Sequence, residues 1–228
     1  MRRRLGIAVC FEGGDVHGHS ALTDNRWARL NIRHTGVVAG WRQVLVEAGA
    51  VIPDRSIERL LTRTNIPVAP SDTRRLDIVA PGLNVFGGLP LFCDVTVVSP
   101  ITATGAARPG TSNRGGHLLA HAEDDNNDTY WDVISTGLGQ LLCLGCEVFG
   151  RWGCQSIDLV PKLARERTRG LHVRIRRGMA LSLQHRWWAI LGLALQRSVA
   201  HIVLSSAAGV DLMATGLEPA PALADLGA

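Results

Sequence analysis

Two aspartates stand in runs of apolar residues where an unanswered charge is costly. Asp77 lies beside Leu76, Ile78, Val79 and Ala80, and Asp94 lies in Leu89 to Val98, a run that is otherwise almost wholly apolar. A carboxylate on a Val/Ile/Leu strand suffers desolvation unless a hydrogen-bond donor or a cation answers it. Neighbouring strands lie about 5 Å apart, so the two carboxylates can converge on one divalent cation, Mg2+ or Mn2+. A cation so held polarises a phosphate and acidifies an attacking water. The competing reading of Asp77 is an ion pair with Arg74 or Arg75 at a strand end.

Other residues carry chemistry of a different kind. Cys10, His17, His19 and His34 are the residue types of a zinc site, although their spacing fits no standard finger and loop residues are the plainer reading. Cys143-x-x-Cys146 has metal-like spacing but lies in an apolar strand without a second pair, which points to buried thiols. Arg165, Arg167, Arg169, Arg174, Arg176 and Arg177 form a basic stretch. It suits bidentate contacts to phosphates, or a solvated face partly offset by Glu166. Trp187 and Trp188 read as packing residues rather than a base-stacking platform. Lys162 is the only lysine, so any mechanism that needs one has a single candidate.

The elements that must position these groups follow from periodicity. Residues 1–36 are rich in Gly, His, Asp and Asn and read as loops around a short strand near Gly6 to Phe11. Val37, Trp41, Val44, Leu45 and Ala48 recur at helical spacing, and Gly49 ends that helix. Val51 to Pro53 reads as a short strand, with a small helix at Ser56 to Thr62. Strands follow at Leu76 to Ala80 and Leu89 to Ser99, with a turn at Gly87-Gly88. After a Gly/Pro/Ser/Thr loop at 100–116, a helix runs from His117 to Ile134. Its face carries Leu119, Ala122, Asn126, Tyr130 and Val133. Leu141 to Val148 is a further strand. Pro161 suits a first helical position, and Met179, Leu183, Trp187, Ile190 and Ala194 stripe a long helix.

The chain has 228 residues, 46% of them hydrophobic, which permits a sizeable core and excludes a disordered composition. A net charge of +4 and a pI near 9.1 permit nucleic-acid binding without demonstrating it. Five irregularly spaced cysteines suggest no secreted disulfide framework, and the basic start is followed by too short an apolar run for a signal peptide. Trp187 to Ala207 is interrupted by Gln196, Arg197 and His201, and reads as an amphipathic core helix rather than a membrane span. The expected setting is intracellular. Residues 37–150 form the core, 151–215 a C-terminal helical extension, and 216–228 a flexible tail. The expected class is α/β with a small mixed sheet, ordered helix, three strands, helix, strand, then two helices.

Several short motifs, in order, resemble the restriction-like endonuclease domain of non-LTR retrotransposons. They are Cys10-Phe11-Glu12-Gly13-Gly14, then Arg33-His34, Arg75-Leu76-Asp77-Ile78-Val79, Leu91-Phe92-Cys93-Asp94-Val95-Thr96-Val97 and Thr129-Tyr130. Leu144-Gly145-Cys146-Glu147, Gly150-Arg151-Trp152 and Arg186-Trp187-Trp188 resemble the downstream part of related element proteins. The resemblance spans most of residues 7–204 and implies a restriction-endonuclease-like core of the PD-(D/E)XK type. It implies a metal held by Asp77, Asp94 and the Val95 carbonyl, DNA or RNA as partner, a reverse transcriptase in the ancestral polyprotein, and nuclear action. No polymerase motif is present; Asp124-Asp125 has a polar, helical context. Two departures imply impaired DNA nicking. Gly36 stands where the family has a glutamate, and Asn126 stands where it has a lysine four residues before the tyrosine. Glu123, one turn earlier, is a candidate replacement carboxylate. The alternatives are a non-catalytic nucleic-acid-binding module and a decayed element fragment.

Overall fold

A computed structural model of the chain describes residues 19–23, 27–52 and 59–207. The expected strand near Gly6 to Phe11, the tail at 216–228, and Cys10 and His17 lie outside these residues. Among the described residues the fold is mixed α/β, with six helices and seven short strands.

Helix α1 (His19–Thr23) is short, and α2 (Trp27–Ala48) is longer than its apolar stripe foretold. Val37, Val38, Trp41, Val44, Leu45 and Ala48 are buried along one face of α2. Gly49, at φ +109°, stops the helix. Its N–H reaches the Val46 carbonyl, and the Ala50 N–H reaches Leu45, which satisfies two of the last free carbonyls.

Strand β1 (Arg59–Leu60) pairs antiparallel with β2 (Arg75–Leu76). Val51 and Ile52, read from the sequence as the start of a strand, are irregular, and the first strand of the described chain is β1. A 3-10 turn at 61–63 replaces the end of the helix expected at Ser56 to Thr62. Strand β3 (Ile78–Ala80) pairs antiparallel with β4 (Leu91–Asp94), and β4 pairs parallel with β6 (Gln140–Cys143). Strands β5 (Val97–Val98) and β7 (Cys146–Glu147) continue β4 and β6 after short breaks and pair parallel with each other. Between the two parallel strands the chain crosses over through α3 (His117–Thr129) and α4 (Trp131–Ser135). The break at Tyr130 splits what the sequence suggested as one helix.

Alternation along the strands feeds two cores. Ile78, Ala80, Leu91, Cys93, Val95, Leu142 and Leu144 join α2, α5 (Cys154–Arg167) and α6 (Val173–Ala207) in the larger one. Phe92 and Leu141 face the other way, with Leu61, Leu76, Tyr130 and Val133. Leu76 and Val79 both meet the second core, so the period-2 rhythm breaks at Asp77, between β2 and β3. Pro161 does not start α5 but lies inside it, because the helix is already running from Cys154. The carbonyl that Pro161 leaves without its helical partner belongs to Ile157, an exposed residue on the outer side of α5.

Helix α6 runs along α2 and α5. Gly36 and Gly40 let α2 and α6 approach closely: a β-carbon on Gly36 would stand 2.0 Å from Ser198 Oγ, and one on Gly40 would stand 2.8 Å from Ala194 Cβ. The stretch Val173–Leu204 is long and apolar enough to cross a membrane by length and composition alone. Its Trp187, Leu191 and Leu195 are spent on the core with α2. Trp41 meets Trp152 edge-on at 6.0 Å, and Trp152 meets Trp188 at 5.6 Å. Trp187 is fully buried, and its Nε1 donates to Glu47 Oε2 at 2.9 Å.

Candidate functional site

Antiparallel register brings the two aspartates together. Ile78 faces Cys93 across β3 and β4, and Asp77 and Asp94 flank that pair, near enough for the charge of Asp77 to act on Asp94. Asp77 is only 8% exposed, and its Oδ2 accepts the Val95 N–H at 2.6 Å. With that lone pair engaged, His34 Nε2 donates to the same oxygen at 2.9 Å. Neither bond uses Oδ1. Arg74 is committed elsewhere, to Asp72, Asp132 and the Thr129 carbonyl. Those two carboxylates hold the guanidinium well above its ordinary value and are themselves held low by it. Of the two arginines that could pair with Asp77, Arg74 is therefore spent elsewhere.

Asp94 has weaker support. Thr96 Oγ1 donates to its Oδ2 at 3.2 Å, and the Asn126 side chain also favours the charged form. Burial first, and the charge of Asp77 second, push Asp94 up to about 6, against the opposing pull of Thr96, His34 and Asn126. The same surroundings raise the Tyr130 phenol, chiefly by burial and then by Asp94 and Asp77. Tyr130 Oη donates to the Arg75 carbonyl at 2.5 Å, which ties the end of α3 to the strand that leads into Asp77.

Asn126 comes to this pair from α3, as its helical face predicted. It is 7% exposed, and its Oδ1 has no hydrogen-bond partner. Its amide orientation is fixed by Asp94, since the reverse would set two acceptors face to face. The Val95 carbonyl also belongs here. Leu144 and Cys146 donate to the carbonyls of Asp94 and Thr96 on the β6 side. Successive carbonyls along an extended chain alternate sides, so that of Val95 faces the Asp77 side.

The other sequence candidates lie in different surroundings. Two residues beyond His34 on α2, Gly36 is about 200° around the helix and packs against Ser198. A side chain there turns into α6, so position 36 would add no carboxylate to the pair. Glu123 points to the start of α5, where Oε1 accepts the Gln155 N–H at 3.4 Å, and it is not a replacement ligand. His19 packs on Gly105 while His34 serves Asp77, so these two do not share the surroundings of a zinc site. Burial pushes the Cys143 and Cys146 thiols up to about 12, and burial keeps Cys93 high as well. Thiols held that high are poor thiolate ligands. Lys162 Nζ sits 4.5 Å over the Phe86 ring, a packing role.

Arg165, Arg169, Arg174, Arg176 and Arg177 are all exposed around the α5–α6 turn, and every residue from His172 to Met179 is exposed. Arg169 meets Glu166 at 3.4 Å, Arg165 bonds the Pro161 carbonyl, and Arg176 bonds the Leu171 carbonyl. Val173 (71% exposed) and Ile175 share this end of α6.

Among the described residues no three His, Cys, Asp or Glu side chains stand together as a ready cation cage. The donors at the Asp77–Asp94 pair are instead oxygens of mixed kind: two carboxylates, one amide and one main-chain carbonyl. That set fits a small hard cation that keeps part of its water shell. Sequence reasoning missed His34 as the partner of Asp77 and Thr96 as the donor to Asp94. The Thr at i+2 from Asp94 was a legible signal. The 43-residue separation of His34 from Asp77 was not.

No protein-family model matches the chain, and no curated protein matches it.

Proposed function

We propose that the chain is a retrotransposon-derived, restriction-endonuclease-like domain whose metal-dependent DNA nicking has become slow. The observation that carries this reading is the closeness of Asp77 and Asp94, which flank the Ile78–Cys93 pair near Asn126, with Asp94 pushed up to about 6. Two neighbouring carboxylates that share one imidazole, that of His34, gain further from a bound cation. The order of helix, antiparallel strands, crossover helices and parallel strand supports the restriction-like core, although a fold alone names no activity. A bound Mg2+ or Mn2+ would supply the Lewis acid and the activated water. Asp77, Asp94 and the Val95 carbonyl would hold it, and His34 would orient Asp77. The position that the family fills with lysine holds a neutral amide, so transition-state charge has no ammonium beside it. Slow turnover follows.

The experiment is a plasmid-nicking assay in Mn2+ and in Mg2+ with the wild-type chain and Asp94→Ala. Metal-dependent relaxation of supercoiled DNA, lost in Asp94→Ala and in EDTA, is the expected result. Wild-type nicking no faster than Asp94→Ala overturns the reading.

A second reading, a non-catalytic nucleic-acid-binding module, has its own observation in the exposed arginines of the α5–α6 turn. Guanidinium groups that project into solvent are suited to phosphate oxygens. DNA binding that persists in EDTA, without nicking at any metal concentration, selects this reading.

A further inference from the structure

We propose that Asn126 is a cation ligand through Oδ1, and that Asp77, Asp94 and Asn126 together form the side-chain half of a site for one hard divalent cation. The inference rests on the reading of the aspartate pair as a metal site and gives the neutral residue beside it a different role from the phosphate contact its sequence position suggests.

One acceptor in this cluster is unmet. Asn126 is almost fully buried, its side chain lies near enough to Asp94 to favour that carboxylate's charged form, and its oxygen has no partner. A buried acceptor left without a donor costs about 1–3 kcal/mol. The donors nearest at hand are already used. Thr96 Oγ1 donates to Asp94, and Tyr130 Oη donates to the Arg75 carbonyl. The imidazole of His34 is engaged with Asp77 Oδ2. The charges around it are the two carboxylates and the imidazole of His34 on Asp77, while Arg74 is held by Asp72 and Asp132. An oxygen with no donor, beside two carboxylates, is what a positively charged ion would satisfy. The amide then does two things at once. It favours the charged form of Asp94, and its oxygen meets the ion that Asp94 attracts.

The ligand chemistry selects the ion class. Carboxylate, amide and main-chain oxygens suit Mg2+ or Mn2+, and three side chains leave several coordination positions to water. The nearest sulfur is Cys143 Sγ, which lies 4.0 Å from Thr96 Oγ1 and 3.9 Å from the Ala122 carbonyl in a thiol form. Such a thiol does not make a zinc-type thiolate site.

The test is calorimetric titration of the full chain with MnCl2, with melting temperatures recorded in EDTA and in Mn2+. The proteins are the wild type, Asn126→Leu, Asn126→Asp and Asp94→Asn. The expected wild-type result is one saturable Mn2+ site, lost in Asp94→Asn. Asn126→Leu is expected to weaken Mn2+ on the order of tenfold or more, without a lower melting temperature in EDTA, because the orphan oxygen goes with the amide. Asn126→Asp is expected to melt lower than wild type in EDTA and to gain more from Mn2+ than wild type does. A purely structural Asn126 would give the first of those two effects and not the second. Equal Mn2+ affinity in wild type and Asn126→Leu, with binding still lost in Asp94→Asn, overturns the role of Asn126 and leaves the aspartate site standing. Wild-type protein that takes up no Mn2+ overturns both. Mn2+ binding that depends on Asn126, in a protein that never nicks DNA, supports the ligand role and removes the nuclease reading.

Discussion

At neutral pH the Asp94 carboxylate has to ionise beside Asp77, helped by Thr96 and the Asn126 side chain. Its pKa is raised from an ordinary 3.8 to about 6, so between those values the native state holds a proton that the unfolded chain has released. For a raised acid the sign is unfavourable: stability falls as pH rises through that window, and the full penalty is present above about 6. A tenfold change in proton affinity is worth about 1.4 kcal/mol, so the penalty has a ceiling of about 3 kcal/mol. Asp94→Asn is therefore expected to be more stable than wild type at about pH 8 in EDTA. Its advantage should shrink by about 2–3 kcal/mol at about pH 4. Urea unfolding at the two pH values measures the difference, and an advantage that does not change with pH would remove the assigned cause. The comparison has to be between variants, because Asp72, Asp132 and Glu47 are held low by Arg74 and Arg186 and lose stability in the opposite direction, as acid protonates them. Position 36 gives a second residue-scale expectation. Gly36→Glu supplies the carboxylate type that the resemblance expects, yet its side chain would collide with Ser198. Overpacking of this kind costs about 1–3 kcal/mol. The melting temperature should fall and Mn2+ affinity should not rise.

Two helices carry the site's surroundings in different ways. Helix α3 delivers Asn126 because Leu119 and Asn126 fall on its buried side, and Tyr130, which caps it, fixes its far end to Arg75. Helix α6 is buried where it meets α2 and fully exposed over its first turns, which hold Arg174, Arg176 and Arg177. If those arginines contact phosphates, each contact adds about 0.9 to the slope of log affinity against log salt. Replacing all three by alanine is expected to lower the slope by about 2–3 and to weaken binding of any DNA sequence about equally. Fluorescence anisotropy across a salt series reads both quantities. An unchanged slope would make this end of α6 an ordinary solvated surface.

For the molecule as a whole, one question is whether the chain is a decayed fragment. The larger core joins α2, α5, α6 and strands β3, β4 and β6 in one cluster, with Asp77 immediately before β3 and Asp94 at the end of β4. A continuous core of this kind is expected to unfold in one cooperative step, with calorimetric and van't Hoff enthalpies in agreement. Trp41 is fully buried at its centre, against Trp152. Trp41→Ala is expected to cost about 3–5 kcal/mol. A broad wild-type melt, insensitive to that change, would favour decay.

The α/β class with a small mixed sheet, the buried face of α3 and the apolar setting of both aspartates were legible in the order of residues alone. They are readable because hydrophobic periodicity and Gly placement act over a few residues. Packing settled what local pattern cannot carry. The register of β3 on β4 pairs Ile78 with Cys93 and so brings the flanking Asp77 and Asp94 near each other. The approach of α2 to the sheet brings His34 to Asp77 across 43 residues, and the packing of α2 on α6 turns position 36 away. Pro161 was misread for the same reason: a helix held by core contacts tolerates a proline whose lost bond lies on its outer side, and only those contacts reveal it. Short-range chemistry chose the residue types, while long-range packing chose which of them meet.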